Sequence, residues 1–149
     1  MDLVIPGNEV LRIIARDTLR KNFPLYDKSH AVRVNDMDRF KAWLGYRTVD
    51  GKATDTMNTT HFDLNFYWPN VCYLTYIEVE KSQRGKGLGD KLYDSVEQIA
   101  KRLGCTRLCQ IPSGVIVVNG NFVETREDYL VRKRGYKKVE HGQVEKILW

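Results

Sequence analysis

Between residues 82 and 95 the chain reads SQRGKGLGDKLYDS. Gly85, Gly87 and Gly89 alternate with single residues behind Arg84, and a helical pattern begins directly after them. A helix amino terminus carries unpaired N–H groups and about half a positive charge, which suits an anion. Glycine permits positive φ and lets a ligand approach the main chain without meeting a Cβ. Arg84 and Lys86 add full charges. A tight strand-to-helix turn needs one glycine. Three of them, flanked by two cations, point to phosphate binding, and a diphosphate uses more of this equipment than a carboxylate does.

The flanking elements would hold this turn in place. VCYLTYIEV, residues 71–79, is β-branched and aromatic throughout, as a central strand is. Leu88, Leu92, Val96, Ile99, Ala100 and Leu103 mark one face of a helix of about four turns, and Gly104 is placed to end it. CTRLCQI, residues 105–111, reads as the next strand. Strand, glycine turn, helix and strand make a βαβ unit, whose two strands should be parallel.

Elsewhere a helix is expected from Asn8, with Leu11, Ile14, Ala15, Thr18 and Leu19 at helical spacing, stopped by the NFP of residues 22–24. A second helix is expected near residues 35–40, with Phe40, Trp43 and Leu44 on one side. Residues 45–56 read as a strand followed by a polar turn at Asp50-Gly51. HFDLNFYW, residues 61–68, alternates apolar and polar residues, which predicts a half-buried strand. The stretch 112–124 contains an Asn-Gly turn suited to a small hairpin. Thr125 with Asp128 three residues later suggests a capping box, Gly135 a helix end, and residues 136–149 two strands around His141-Gly142.

The 149 residues fit one domain spanning 1–149, and a composition of 42% hydrophobic and 29% charged residues is that of a soluble globular protein. No apolar run approaches the roughly 20 residues that span a bilayer, and the first residues resemble no secretory leader, so no membrane association is expected. Cys72, Cys105 and Cys109 form no CxxC pair, which suggests reduced thiols in a cytoplasmic protein, with Cys72 and Cys109 buried in strands. His30, His61 and His141 flank no cysteine cluster, so no metal is expected. The net charge of +5 suits an anionic ligand or a nucleic acid, but the aromatics are not interleaved with Lys and Arg as stacking platforms are, which argues against nucleic acid.

Two nucleotide signatures fail on spacing. A P-loop needs four residues between its first glycine and Gly-Lys-Ser/Thr, and the dinucleotide fingerprint needs G-x-G-x-x-G where this turn has G-x-G-x-G. The pattern that fits is Arg/Gln-x-x-Gly-x-Gly/Ala, read from Arg84 through Gly89, and here the sequence resembles the GCN5-related N-acetyltransferase (GNAT) family. YIEVEKSQ resembles that family's fourth strand, DKLYDSVEQIAKRLG the helix after its pyrophosphate turn, and YLVRKRGYKKVE its closing helix, Gly-aromatic pair and strand. The resemblance covers about residues 71–111 and 125–149. It implies an α/β fold with a mixed, mostly antiparallel sheet, one parallel strand–helix–strand unit and helices on both faces.

By resemblance the cofactor is acetyl-coenzyme A. Arg84, Gly85, Lys86, Gly87, Leu88 and Gly89 would hold its pyrophosphate, with Asp90 opening the helix, and Ile77, Glu78 and Val79 would pair with the pantetheine arm beside a bulged, splayed fourth strand. A main-chain N–H near Val79 would polarise the thioester carbonyl. The acceptor amine attacks directly, so the protein needs positioning and proton transfer rather than a nucleophile. Tyr73 and Glu78 are the candidate bases. The family's usual tyrosine acid falls on Val131 here, which leaves Tyr129, two residues earlier, as the candidate acid.

The leading function is therefore acetyl transfer from acetyl-coenzyme A to a primary amine on a small molecule or a protein. The alternatives are a coenzyme A-binding module without turnover and a nucleic-acid-binding domain. A cationic acceptor would want an acidic pocket, to which Glu78, Glu80, Glu124, Glu127 and Asp128 could contribute, and many relatives pair as homodimers.

Overall fold

In the computed structural model the described residues are 8–22, 30–38, 41–48, 60–67, 70–79 and 87–148. Helix α1 (Asn8–Asn22) leads into four strands, β1 (His30–Asp38), β2 (Lys41–Thr48), β3 (His61–Tyr67) and β4 (Val71–Glu78). Helix α2 (Leu88–Arg102) and β5 (Arg107–Gln110) follow, then β6 (Val115–Val118), β7 (Asn121–Thr125), α3 (Arg126–Arg134), β8 (Lys137–Lys138) and β9 (Val144–Ile147). The seven-stranded sheet runs β1-β2-β3-β4-β5-β9-β8, and β6 with β7 forms a separate hairpin. Within the larger sheet β4 and β5 are parallel and all other neighbours antiparallel.

Pairing divides the sheet into two chemically different faces. Phe62, Leu64 and Phe66 of β3 alternate with His61, Asp63 and Asn65, and only the apolar set is buried. Leu44 lies opposite Leu64 and Tyr46 opposite Phe62, so cross-strand partners extend the apolar face sideways. Leu11, Ala15 and Leu19 of α1 and Leu92, Val96, Ile99 and Ala100 of α2 complete one core over it. Each large apolar side chain removed from water there contributes about 1.5–3 kcal/mol. The Arg102 guanidinium bonds Asp17 and Thr18 at 2.8 and 3.0 Å, fastening α2 to α1.

Residues 35–38 do not open the expected helix. Residues 30–38 and 41–48 are instead paired antiparallel strands, with Arg33 opposite Gly45 and Asn35 opposite Trp43. Trp43, Leu44 and Phe40 have helical spacing, but Ala42, Leu44 and Tyr46 are buried at period two against β3, and that pairing decides the conformation. The turn expected at Asp50-Gly51 and the stop at residues 23–24 lie outside the described residues.

The remaining local signals hold. Gly104 adopts φ +87 just beyond α2. The Thr125 hydroxyl accepts the Asp128 N–H at 3.1 Å, and Gly135 closes α3 with φ +78. Asn119 and Gly120, both at positive φ, turn β6 into β7. Cys72, Cys105 and Cys109 are all buried and unpaired by disulfide.

Candidate active site

Two departures from regular pairing open the sheet. Asp63 lies opposite Tyr76 and Leu64 opposite Leu74, which leaves Thr75 as an extra residue, a β-bulge in β4. Without it Tyr76 and Glu78 would point toward the helices. With it Tyr73, Tyr76 and Glu78 share the polar face, while Leu74 and Ile77 remain on the core side. The Asn65 amide donates to the Thr75 hydroxyl at 2.6 Å and pins the bulge. The second departure is a fork: β4 pairs with β5 only at Val71, Cys72 and Tyr73, and beyond Tyr73 and Cys109 the strands part.

A cleft of about 100 Å³ lies in this fork, bordered by Tyr76, Ile77 and Glu78 on one side and Gln110, Ile111 and Arg126 on the other. The Arg126 guanidinium donates to the Ile77 carbonyl at 3.4 Å, a main-chain acceptor that the diverging β5 no longer serves. Gln110 is 4% exposed and accepts the Tyr93 O–H at 3.2 Å, yet its buried Nε2 has no hydrogen-bond partner. An orphan buried amide costs free energy unless something else accepts from it. An extended chain bearing carbonyls, lying along the fork, would supply that acceptor.

Helix α2 starts beside the far end of β4. A Cβ on Gly89 would stand 3.9 Å from Val79 Cγ2, so the first turn packs against the residue that follows the strand. Gly87 is the N-cap at φ +79 with no side chain capping the turn, and among the described residues a Cβ on it would meet nothing within 4 Å. The first helical bond, Lys91 N–H to the Gly87 carbonyl, leaves the earlier N–H groups of Leu88, Gly89 and Asp90 facing outward from the helix end. Asp90 would repel an anion here, but it is held aside: Tyr129 donates to its Oδ1 at 2.5 Å and Arg134 at 3.2 Å. Arg134 also bonds Asp94 and Glu97, and although burial alone would lower its pKa, these two carboxylates raise it. The anchoring arginine comes from the last turn of α3, so the closing helix sets the charge at the mouth of α2.

A second, larger cavity of about 310 Å³ opens on the polar face, lined by Arg33, Trp43, Arg47, His61, Asp63 and Tyr76 around Gly45. His61 and Tyr76 line both cavities, so the two meet there. A Cβ on Gly45 would collide with the Trp43 indole and stand 3.0 Å from Asp63 Oδ1; the absent side chain is what lets ring and carboxylate converge. Burial pushes the Asp63 carboxyl above its ordinary range, a shift that nearby His61 partly opposes.

The positions singled out from sequence distribute as follows. Ile77, Glu78, Gly87, Leu88, Gly89 and Asp90 sit along the cleft or at the helix mouth, and Val79 joins the two. Arg84, Gly85 and Lys86 lie outside the described residues, as does Glu80. Tyr73 stands at the fork, 38% exposed and edge-on to Tyr67, and lines neither cavity. The Tyr129 phenol, committed to Asp90, is pushed up to about 12, by burial first and then by that carboxylate. Of the acidic residues considered for a cationic acceptor, Glu124 pairs with Arg132, and Glu127 and Asp128 with Lys138. Sequence reading missed His61, Asp63, Arg33, Arg47, Gln110 and Arg126. The alternation of HFDLNFYW does place His61 and Asp63 on the polar face, which was the available signal.

A parallel strand–helix–strand unit whose strands fork over a polar cleft, beside an uncapped helix amino terminus, can hold an extended anionic ligand. The sequence profile of the acetyltransferase (GNAT) family matches residues 14–119, and the chain belongs to that family. It is an N-acetyltransferase. No curated protein matches the sequence significantly. Among solved structures it is similar to an aminoglycoside 6′-N-acetyltransferase complexed with coenzyme A, at 16% identity over 95% of this chain and 93% of that one, TM-score 0.46. The aminoglycoside 6′-N-acetyltransferase from Enterococcus faecium gives 16%, 100% and 97%, TM-score 0.43, and Tetrahymena GCN5 gives 10%, 95% and 88%, TM-score 0.40.

Proposed function

We propose that the protein transfers an acetyl group from acetyl-coenzyme A to a primary amine by direct attack. The fork between β4 and β5 carries this reading, because it joins a cleft containing an orphan amide donor to an uncapped helix end. The N–H groups of Leu88, Gly89 and Asp90, with Gly87 and the preceding Arg84, Gly85 and Lys86, would hold the pyrophosphate. Ile77, Glu78, Val79 and the Gln110 amide would take the pantetheine arm. The cofactor supplies an activated acetyl thioester.

The chain's own work is to aim and deprotonate the amine. The amine nitrogen forms a new N–C bond, the C–S bond breaks, and the proton lost by nitrogen balances the departing thiolate. His61 and Glu78 lie directly opposite one another on β3 and β4, at the junction of the two cavities. We assign proton removal to His61, the commonest type of general base, with Glu78 as its cross-strand neighbour. Tyr73 stands farther out, where it can order a water. The three cysteines offer no covalent route: burial raises Cys72 well above the ordinary thiol range, and burial and Glu145 push Cys109 up to about 11.

Calorimetry with coenzyme A, followed by thiol release from acetyl-coenzyme A in the presence of a primary amine, tests the reading. Micromolar or tighter binding and amine-dependent release are expected. A folded protein that gives no heat with either form of the cofactor is incompatible with it.

A further inference from the structure

The larger cavity has a polarity that the reaction alone does not require. Its charged groups come from three strands in register. Arg33 of β1, Gly45 of β2, Asp63 of β3 and Tyr76 of β4 form one cross-strand row. Arg47, His61 and Glu78 form the next. The arginines are thus on the two strands farthest from the fork, Asp63 is on the middle strand, and the cofactor cleft lies beyond β4.

Arg47 and Asp63 are diagonal neighbours, close enough for an arginine to close an ion pair. Among the described residues neither Arg33, Arg47 nor Asp63 takes part in one, whereas Arg102, Arg107, Arg132 and Arg134 all do. Asp63 is instead half-buried beside the Trp43 indole across bare Gly45. A carboxylate next to an aromatic face suits an ammonium group. Two guanidinium groups with no carboxylate partner among the described residues suit an oxyanion, which they can grip bidentately.

We propose that the acceptor is a small primary amine that also carries an oxyanion, a carboxylate or a phosphate, bound with its ammonium between Asp63 and Trp43 and its oxyanion at Arg33 and Arg47. This rests on the acetyltransferase reading above and gives that site its substrate class. The order of groups across the sheet turns the nitrogen toward the fork and the negative end away from it. A volume of about 310 Å³ corresponds to about ten waters, the scale of an amino acid or a short aminoalkyl phosphate. Two arginines against one carboxylate also disfavour polyamines, whose second ammonium would face the guanidinium groups.

The test uses the intact protein with acetyl-coenzyme A and matched acceptors: free amino acids against their carboxamides, phosphoethanolamine against ethanolamine, and putrescine as the dication. Thiol release is expected for one oxyanion series at a kcat/KM at least tenfold above that of its neutral partner, and whichever series wins identifies carboxylate or phosphate. Arg47→Ala should raise KM for the preferred acceptor by at least tenfold, leave its neutral partner within twofold, and leave coenzyme A affinity unchanged. Arg47→Lys should restore part of the discrimination, which a merely structural role would not produce. If coenzyme A binds and putrescine or the neutral amines react best, or if Arg47→Ala lowers both members of a pair equally, the acceptor assignment is overturned while the acetyltransferase reading stands. Absence of coenzyme A binding overturns both.

Discussion

Tyr73 and Tyr76, three residues apart on β4, stand on the same face of the sheet because Thr75 lies between them as an unpaired extra residue. Alternation would otherwise have put them on opposite faces, since the strand period is two. The bulge therefore decides that Tyr76 and Glu78 meet the cavities and that Ile77 meets the core. Inserting one residue between Asp63 and Leu64 should give Thr75 a partner, restore regular pairing and invert β4 after Thr75. Exposing Ile77 and burying Glu78 predicts a loss of about 2–4 kcal/mol in urea unfolding. An insertion variant with wild-type stability and activity would show that the bulge sets nothing.

The helix mouth separates charge from backbone strain. Gly89 lies within α2 with room for a side chain, so Gly89→Glu adds a carboxylate without a forbidden φ. Gly87 is at φ +79, and Gly87→Ala there adds strain of about 1 kcal/mol but no charge. Coenzyme A affinity should fall at least a hundredfold in Gly89→Glu and less than tenfold in Gly87→Ala. Equal losses measured by calorimetry would mean that the turn does not meet phosphate.

Proton transfer can be apportioned by substitution. A phenol pushed up to about 12 is a poor donor to a thiolate of ordinary pKa, about 8.5, because the transfer is uphill by about three units. The Tyr129 proton is already shared with Asp90. Tyr129→Phe should therefore leave kcat within about threefold, and Tyr73→Phe within tenfold, while His61→Ala should lower kcat a hundredfold or more. A Tyr129→Phe variant with a hundredfold loss in kcat, and an unshifted coenzyme A affinity, would return the acid role to Tyr129.

Much of this architecture was legible in sequence, and the reason is locality. The glycine turn, α2 with Gly104, the Thr125 cap and the Asn119-Gly120 turn are each specified within a few residues. The helix expected near residues 35–40 rests on the helical spacing of Phe40, Trp43 and Leu44, whereas β2 is decided by burial against β3, a contact invisible along the chain. The larger cavity was hidden for the same reason. Arg33 and Asp63 are 30 positions apart in sequence and share a row only through two strand registers. Neither register can be counted until the strands are known. Gln110 is illegible for another reason: its significance is an unsatisfied atom, a property of packing rather than of residue type.

Asp63 ties stability to function with a definite sign. Burial raises its carboxyl pKa in the folded chain, so the ionised form is the one that folding disfavours. The resulting penalty is absent below the unfolded value near 4 and complete above the folded value. Asp63→Asn removes the charge and should stabilise the protein at neutral pH, with the gain shrinking as the pH falls toward 4. The same substitution removes the partner proposed for the acceptor ammonium, a charge-assisted bond of about 1.5–3 kcal/mol, so acceptor KM should rise at least tenfold. Urea midpoints for both forms across the acid range, with acceptor KM at neutral pH, check the two halves together. Removing a carboxylate kept for binding at the expense of stability gives a more stable, weaker enzyme. If Asp63→Asn instead destabilises the fold at neutral pH and leaves KM unchanged, Asp63 is a structural group and the ammonium must bind elsewhere.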